Sequence, residues 1–178
     1  MIQDNVKIAV QFIIFALLQV YVFDHVNLFG FSCPAIYLFL IISYRFEKSE
    51  FLLILLGFMI GLIIDLLQHS SGANTIATLF ISFLRPFIIK FSFGINPDSP
   101  SIMNMNTKVN NQVFYLILMI LIHQLILQSV AYFDMSQLFL IIRNTIVNTV
   151  LTFIILFAGI FLFKKKSSWE SYYLQDLL

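Results

Sequence analysis

Charge is scarce in this chain: 11% of its 178 residues are Asp, Glu, Lys or Arg, against about a quarter in soluble globular domains. With 60% hydrophobic residues and a mean hydropathy of +0.95, that scarcity excludes a soluble globular domain. Cysteine is nearly absent as well. Cys33 stands alone, so an internal disulfide and a cysteine-based metal site are both excluded. No glycine-rich phosphate loop occurs, no pair of aspartates has the spacing that holds a divalent metal for phosphoalcohol transfer, and Ser70-Ser71-Gly72 lacks the later helix histidine of an intramembrane serine protease. An enzyme is not expected, and neither is a cofactor. His25, His69 and His123 all fall on one side, but their spacings match no zinc motif. A basic groove with interleaved aromatics is missing, which removes nucleic acid as a partner. The run 6–22 is too long for a signal-peptide core and no small-x-small site follows it, so no cleaved leader is expected. Without an internal repeat, a transporter of duplicated halves has no support.

What the chain has in abundance is apolar length. Runs able to cross a bilayer recur about six times, at 6–23, 28–44, 51–67, 73–93, 112–131 and 138–163. These predict an all-α integral membrane protein with a single domain over 1–178. The breaks alternate in charge. Phe23–Pro34, Gln68–Asn74 and Tyr132–Gln137 contain no Lys or Arg, whereas Lys7, Arg45, Lys48, Lys90, Lys108 and Lys164–Lys166 fall on the other side. By the positive-inside rule both termini are cytoplasmic and the loop 94–111, with two prolines and five asparagines, is a cytoplasmic connection. Trp169, Tyr172 and Tyr173 suit an interfacial anchor. Most of the 21 Phe and 7 Tyr are expected to face lipid or pack between helices.

Polar residues inside apolar runs are the candidates for function, because each must find a partner or water. Gly57, Gly61 and Asp65 recur every fourth residue, on one helix face, where the two glycines permit close approach of another backbone. Asn74, Thr78, Ser82 and Arg85 form a polar stripe that should turn into the bundle. Arg85 has a stem long enough to snorkel toward the cytoplasmic interface, and that is the expectation for it. Arg143 sits in the outer half of its run beside Asn144 and Asn148, where a cation needs a counter-ion. Asp65 lies at a similar depth and is the expected ion-pair partner, with Asp24 and Asp134 as rivals. His123, Gln124 and Gln128 are expected to line an outward-facing polar crevice. Pro34, in the first half of the second run, marks a helix start or a kink.

Pro34, its apolar run, the basic turn, and then Gly57-Phe-Met-Ile-Gly61-Leu-Ile-Ile-Asp65-Leu with a small-residue turn ending at Gly72 resemble the rod-shape-determining MreD family. Specific residues match from about Pro34 to Asn74; the remaining agreement is in length and hydropathy. The resemblance implies a fold similar to the substrate-binding S components of energy-coupling-factor vitamin transporters. It also implies a scaffold in the bacterial cytoplasmic membrane that binds an MreC-like single-span protein. Through it, association with a class B penicillin-binding transpeptidase, a RodA-type glycosyltransferase and, indirectly, an MreB-like filament is implied. On this reading Pro34, Gly57, Gly61, Asp65 and Gly72 belong to a helix-packing or partner interface, and Gly61→Leu would abolish partner binding while sparing insertion. The rival reading is a substrate-binding subunit of a small-molecule transporter, with Asp65, His123, Gln124 and Arg143 around its pocket.

Overall fold

A computed structural model describes the backbone of residues 2–23, 34–44, 50–94 and 108–175, and side chains within these from 10 to 160 except that of Met135. Asp24, His25, Cys33, Arg45, Lys48 and the body of the 94–111 loop lie outside the described residues, as do the side chains of Lys164–Lys166, Trp169, Tyr172 and Tyr173. In chain order the helices are α1 (Ile2–Leu18, continued by a π-helical turn Gln19–Phe23), α2 (Leu38–Ser43), α3 (Glu50–Gln68), α4 (Ala73–Phe93), α5 (Val109–Tyr132) and α6 (Leu138–Gln175). No strand occurs among the described residues.

Among the described residues, four helices are long and apolar enough to cross a membrane: α3, α4, α5 and Leu138–Ile160 of α6. The apolar part of α1, Val10–Phe23, is shorter. The second run differs most from expectation. Pro34 and Ala35 are not helical, Ile36 and Tyr37 form a turn, and α2 has six residues. At 1.5 Å per residue α2 is about 9 Å long and does not cross a bilayer by itself. Proline removes one amide at its start; side chains from elsewhere satisfy the Pro34 carbonyl and the Ala35 and Ile36 amides, while the carbonyls of Ala35, Ile36 and Tyr37 accept the amides of Leu38, Phe39 and Leu40.

Antiparallel packing runs α3 on α4, α4 on α5 and α5 on α6. A tight turn joins α3 to α4, with His69, Ser71 and Gly72 all at positive φ. Gly72, at φ 89°, is the position that reverses the chain. Gly94 closes the far end of α4, its amide donating to the Lys90 carbonyl at 3.0 Å. The core is built from Ile, Leu and Met of α2 to α6, centred on Leu38, Ile81, Ile89, Leu116, Met119 and Ile120, each nearly inaccessible. The outside is the reverse of a soluble protein: Phe51, Phe87, Phe91 and Phe139 are all exposed. Such a surface needs hydrocarbon around it, and we conclude that this is a membrane protein.

Candidate functional site

The small residues at 57 and 61 let α3 and α4 touch. A β-carbon placed on Gly61 would strike the Thr78 hydroxyl and lie 2.5 Å from Thr75 Cα and 2.9 Å from the Asn74 carbonyl oxygen. One at Gly57 would strike the Ser82 hydroxyl and lie 3.1 Å from the Thr78 carbonyl oxygen. The Gly57–Gly61 face is therefore occupied by α4. It is an internal seam, not a free docking face, and the expected loss of a partner with insertion spared at Gly61→Leu is replaced by disruption of the α3–α4 hairpin itself.

Asp65 continues this face and ends it on a helix terminus. One carboxylate oxygen accepts from Ser70 Oγ (2.5 Å), the Asn74 amide (3.0 Å) and Asn74 Nδ2 (3.0 Å). The other accepts from the Thr75 amide (2.7 Å) and Thr75 Oγ1 (2.5 Å). With Gly72 at the N-cap, Asn74 and Thr75 are the second and third helical residues, whose amides an N-cap side chain normally satisfies. Gly72 has no side chain, so Asp65 caps α4 from the preceding helix. The charge also faces the positive end of the α4 dipole. The expected ion pair between Asp65 and Arg143 does not form: every partner of Asp65 is a hydroxyl or an amide on the turn and α4. Arg143 instead donates from Nε (3.2 Å) and Nη2 (3.1 Å) to Asn144 Oδ1, and Asn144 Nδ2 donates to the Tyr132 hydroxyl at 2.7 Å. Asp134 holds the amide and hydroxyl of Ser136 at 2.9 and 2.6 Å. Asp24 lies outside the described residues.

The network extends inward from Asn74. The Tyr37 hydroxyl donates to Asn74 Oδ1 at 2.9 Å and lies 3.1 Å from His123 Nε2. Since the one phenolic proton goes to Asn74, Nε2 carries the imidazole proton and Nδ1 is bare. His123 and Gln124 are completely buried, so they do not line an open crevice; Gln128 is half-buried.

Arg85 performs at the opposite end of the bundle what Asp65 performs at the turn. It is 2% exposed and does not snorkel. Its Nε donates to the Tyr115 hydroxyl at 3.1 Å, and Nη2 donates to the carbonyls of Ile42 (3.4 Å) and Tyr44. Those carbonyls end α2, where orphan acceptors and the negative dipole end favour a cation. Thr78, Ser82 and Asn148 are buried too. Thr78 and Ser82 return their hydroxyl protons to carbonyls of their own helix, Thr78 to Asn74 (2.7 Å) and Ser82 to Thr78 (2.7 Å).

Pro34 lies at the head of a segment whose carbonyls at Ala35, Ile36 and Tyr37 accept the amides of Leu38, Phe39 and Leu40, and which side chains tie to α1 and α6. Gln19 Nε2 donates to the Pro34 carbonyl (3.0 Å), the Ile36 amide donates to Gln19 Oε1 (2.8 Å), and the Ala35 amide donates to Thr152 Oγ1 (3.1 Å). Sequence reasoning missed Gln19, Tyr37, Tyr115 and Thr152. Gln19 was detectable as a lone amide near the end of an apolar run. Tyr37 and Tyr115 are hidden among the tyrosines expected to face lipid or pack between helices.

The arrangement as a whole is a set of intramembrane caps and hydrogen bonds; no group of three His, Cys, Asp or Glu side chains is placed to hold a metal ion among the described residues. In comparisons with protein-family models, curated proteins and solved structures, the chain matches none.

Proposed function

We propose that this chain is a non-enzymatic membrane scaffold of the bacterial rod-shape complex, as its resemblance to the MreD family implies. It would sit in the cytoplasmic membrane with both termini inside, as about six segments in an arrangement akin to the S components. There it would bind an MreC-like single-span protein and hold a class B transpeptidase and a RodA-type synthase in register with the MreB-like filament. The observation that carries this reading is the Gly57-x-x-x-Gly61-x-x-x-Asp65 piece followed by the turn to Gly72, whose residues each have a defined part in one rigid α3–α4 hairpin. A rigid hairpin with lipid-facing apolar ridges suits a protein that works by helix-to-helix contact. With the glycine face closed by α4, a partner helix would meet an outer ridge, such as Phe80, Phe83, Phe87 and Phe91, all exposed on α4.

The test is depletion of the protein in a rod-shaped host together with a photo-crosslinking residue at Phe83. Rounding of cells and a crosslink to the MreC-like protein are expected. Cells that stay rod-shaped after depletion would refute the scaffold reading. One observation favours the rival transporter subunit, namely the buried polar side chains of α5 and α6. Native mass spectrometry that found a tightly held water-soluble metabolite would move the assignment there.

A further inference from the structure

Asp65 and Arg85, the buried charges among the described residues, are accounted for by the helix ends they serve, but a further group of polar atoms is not. On α5, His123 Nδ1 and both amide atoms of Gln124 are buried without a hydrogen-bond partner. On α6, which packs against α5, the Thr145 and Thr149 hydroxyls are in the same condition, one helical turn apart. Threonine can rotate toward a carbonyl of its own helix; His123 and Gln124 have no such recourse and carry the argument. A buried donor or acceptor left without a partner is costly, and folded proteins ordinarily satisfy such groups with bound water or ligand.

A second observation concerns what crosses this seam. The non-helical stretch Pro34–Tyr37 bridges the same two helices: Ala35 is tied to Thr152 on α6, and Tyr37 to His123 on α5. Non-helical backbone at membrane depth persists where it is buried in protein or lines a hydrated cavity. This strap is held by side chains of Gln19, Thr152, Asn74 and His123. Those bonds can be exchanged without unwinding any spanning helix.

The chemistry of an occupant follows from the protons. His123 Nδ1 is an acceptor, so the occupant donates to it, while Gln124 asks for one donor and one acceptor. No ion is called for, because Asp65 is saturated by its five donors and Arg143 is engaged by Asn144. We propose that the α5–α6 seam beneath the Pro34–Tyr37 strap binds an uncharged hydroxylic ligand that donates to His123 Nδ1 and pairs with the Gln124 amide. The hydroxyl comes either from solvent water or from a small organic alcohol. The inference is independent of the scaffold reading, since it rests on α5, α6 and the strap alone.

Two measurements on the full chain in nanodiscs test it, with wild type compared to Gln124→Leu and to the milder, near-isosteric Thr149→Val. In the first, X-ray radiolysis generates hydroxyl radicals from whatever water is present. Water in the seam predicts modification of His123 several-fold faster than of Tyr115, which is equally buried, and slowing in both variants. In the second, the unfolding midpoint is followed in glycerol and in sucrose, which is too large for a seam between packed helices. An organic hydroxyl predicts that glycerol raises the wild-type midpoint more than that of Gln124→Leu, with equal sucrose effects. If His123 reacts no faster than Tyr115 and glycerol does not distinguish the chains, the seam is dry and the proposal fails. A dry seam also predicts that both substitutions raise the midpoint.

Discussion

Asp65 and Thr75 meet twice: the amide and the hydroxyl of Thr75 close on a single carboxylate oxygen of Asp65, at 2.7 and 2.5 Å. Ten residues and a chain reversal separate them, so the contact fixes the register of α3 against α4 as well as capping α4. Asp65→Ala removes the cap, worth about 0.5–2 kcal/mol, and leaves Ser70 and Asn74 short of an acceptor, at about 1–3 kcal/mol for a buried group. The expected result is a lower unfolding midpoint in detergent and faster proteolysis at 69–72. Asp65→Asn should fall between, because its amide nitrogen confronts donors on one side. A midpoint unchanged in Asp65→Ala would show that the cap contributes nothing.

Gly57 and Gly61 look equivalent in sequence and are not equivalent in space. A methyl at 61 meets backbone, Thr75 Cα and the Asn74 carbonyl, which cannot move without shifting the start of α4. A methyl at 57 first meets the Ser82 hydroxyl, a movable group. Gly61→Ala should therefore destabilise by more than the about 1–3 kcal/mol usual for overpacking, and Gly57→Ala by less. Ser82→Ala should recover much of the loss at Gly57→Ala and none of that at Gly61→Ala. Thermal unfolding of the two single and two double variants decides this, and equal rescue at both positions would contradict the geometry.

The hairpin was readable from the sequence because its determinants are local and periodic. Four-residue spacing put Gly57, Gly61 and Asp65 on one face, and the Ser-Ser-Gly turn followed at once. The stripe Asn74, Thr78, Ser82 and Arg85 was readable for the same reason. What those residues bond to was not. Depth and charge match Asp65 with Arg143, yet a helix N-terminus nine residues away supplies neutral donors in better positions. A long stem permits Arg85 to reach the interface, whereas α2 offers carbonyls that favour a cation. The break at Pro34 to Tyr37 depends on Gln19 and Thr152, 15 and 117 residues distant from their backbone partners. No local pattern encodes a contact of that separation.

Asp134, in the turn between α5 and α6, is fully exposed, and its carboxyl is held below the ordinary range by the Ser136 hydroxyl and then by the Ser136 amide. A depressed folded value means that this turn is favoured at pH above the unfolded carboxyl value. The advantage is lost as pH falls through the folded value. Ser136→Ala should raise the Asp134 titration midpoint part of the way back, the amide bond holding the remainder. Carbon-13 NMR of the carboxyl measures this directly, and an unshifted midpoint would remove the hydroxyl from the account.

Arg85 and Tyr115 form the other buried cap, and the planarity of the guanidinium makes it specific. Nε reaches the Tyr115 hydroxyl on α5 while Nη2 reaches the carbonyls that end α2, so one flat group joins three helices. Lysine carries the same charge but a single nitrogen at the end of a flexible stem, and it cannot serve both directions. Arg85→Lys should therefore behave as a loss of function for the cap, not as a conservative change. Tyr115→Phe should reproduce part of that loss, since its hydroxyl also lies 3.5 Å from the Ile42 carbonyl. Residues in one hydrogen-bond network couple by about 0.5–3 kcal/mol, so the double variant Arg85→Lys/Tyr115→Phe should be less destabilised than the sum of the singles. Strict additivity in a thermal double-mutant cycle would mean that Arg85 and Tyr115 stabilise the bundle independently, and that α2 is anchored by its apolar side chains alone.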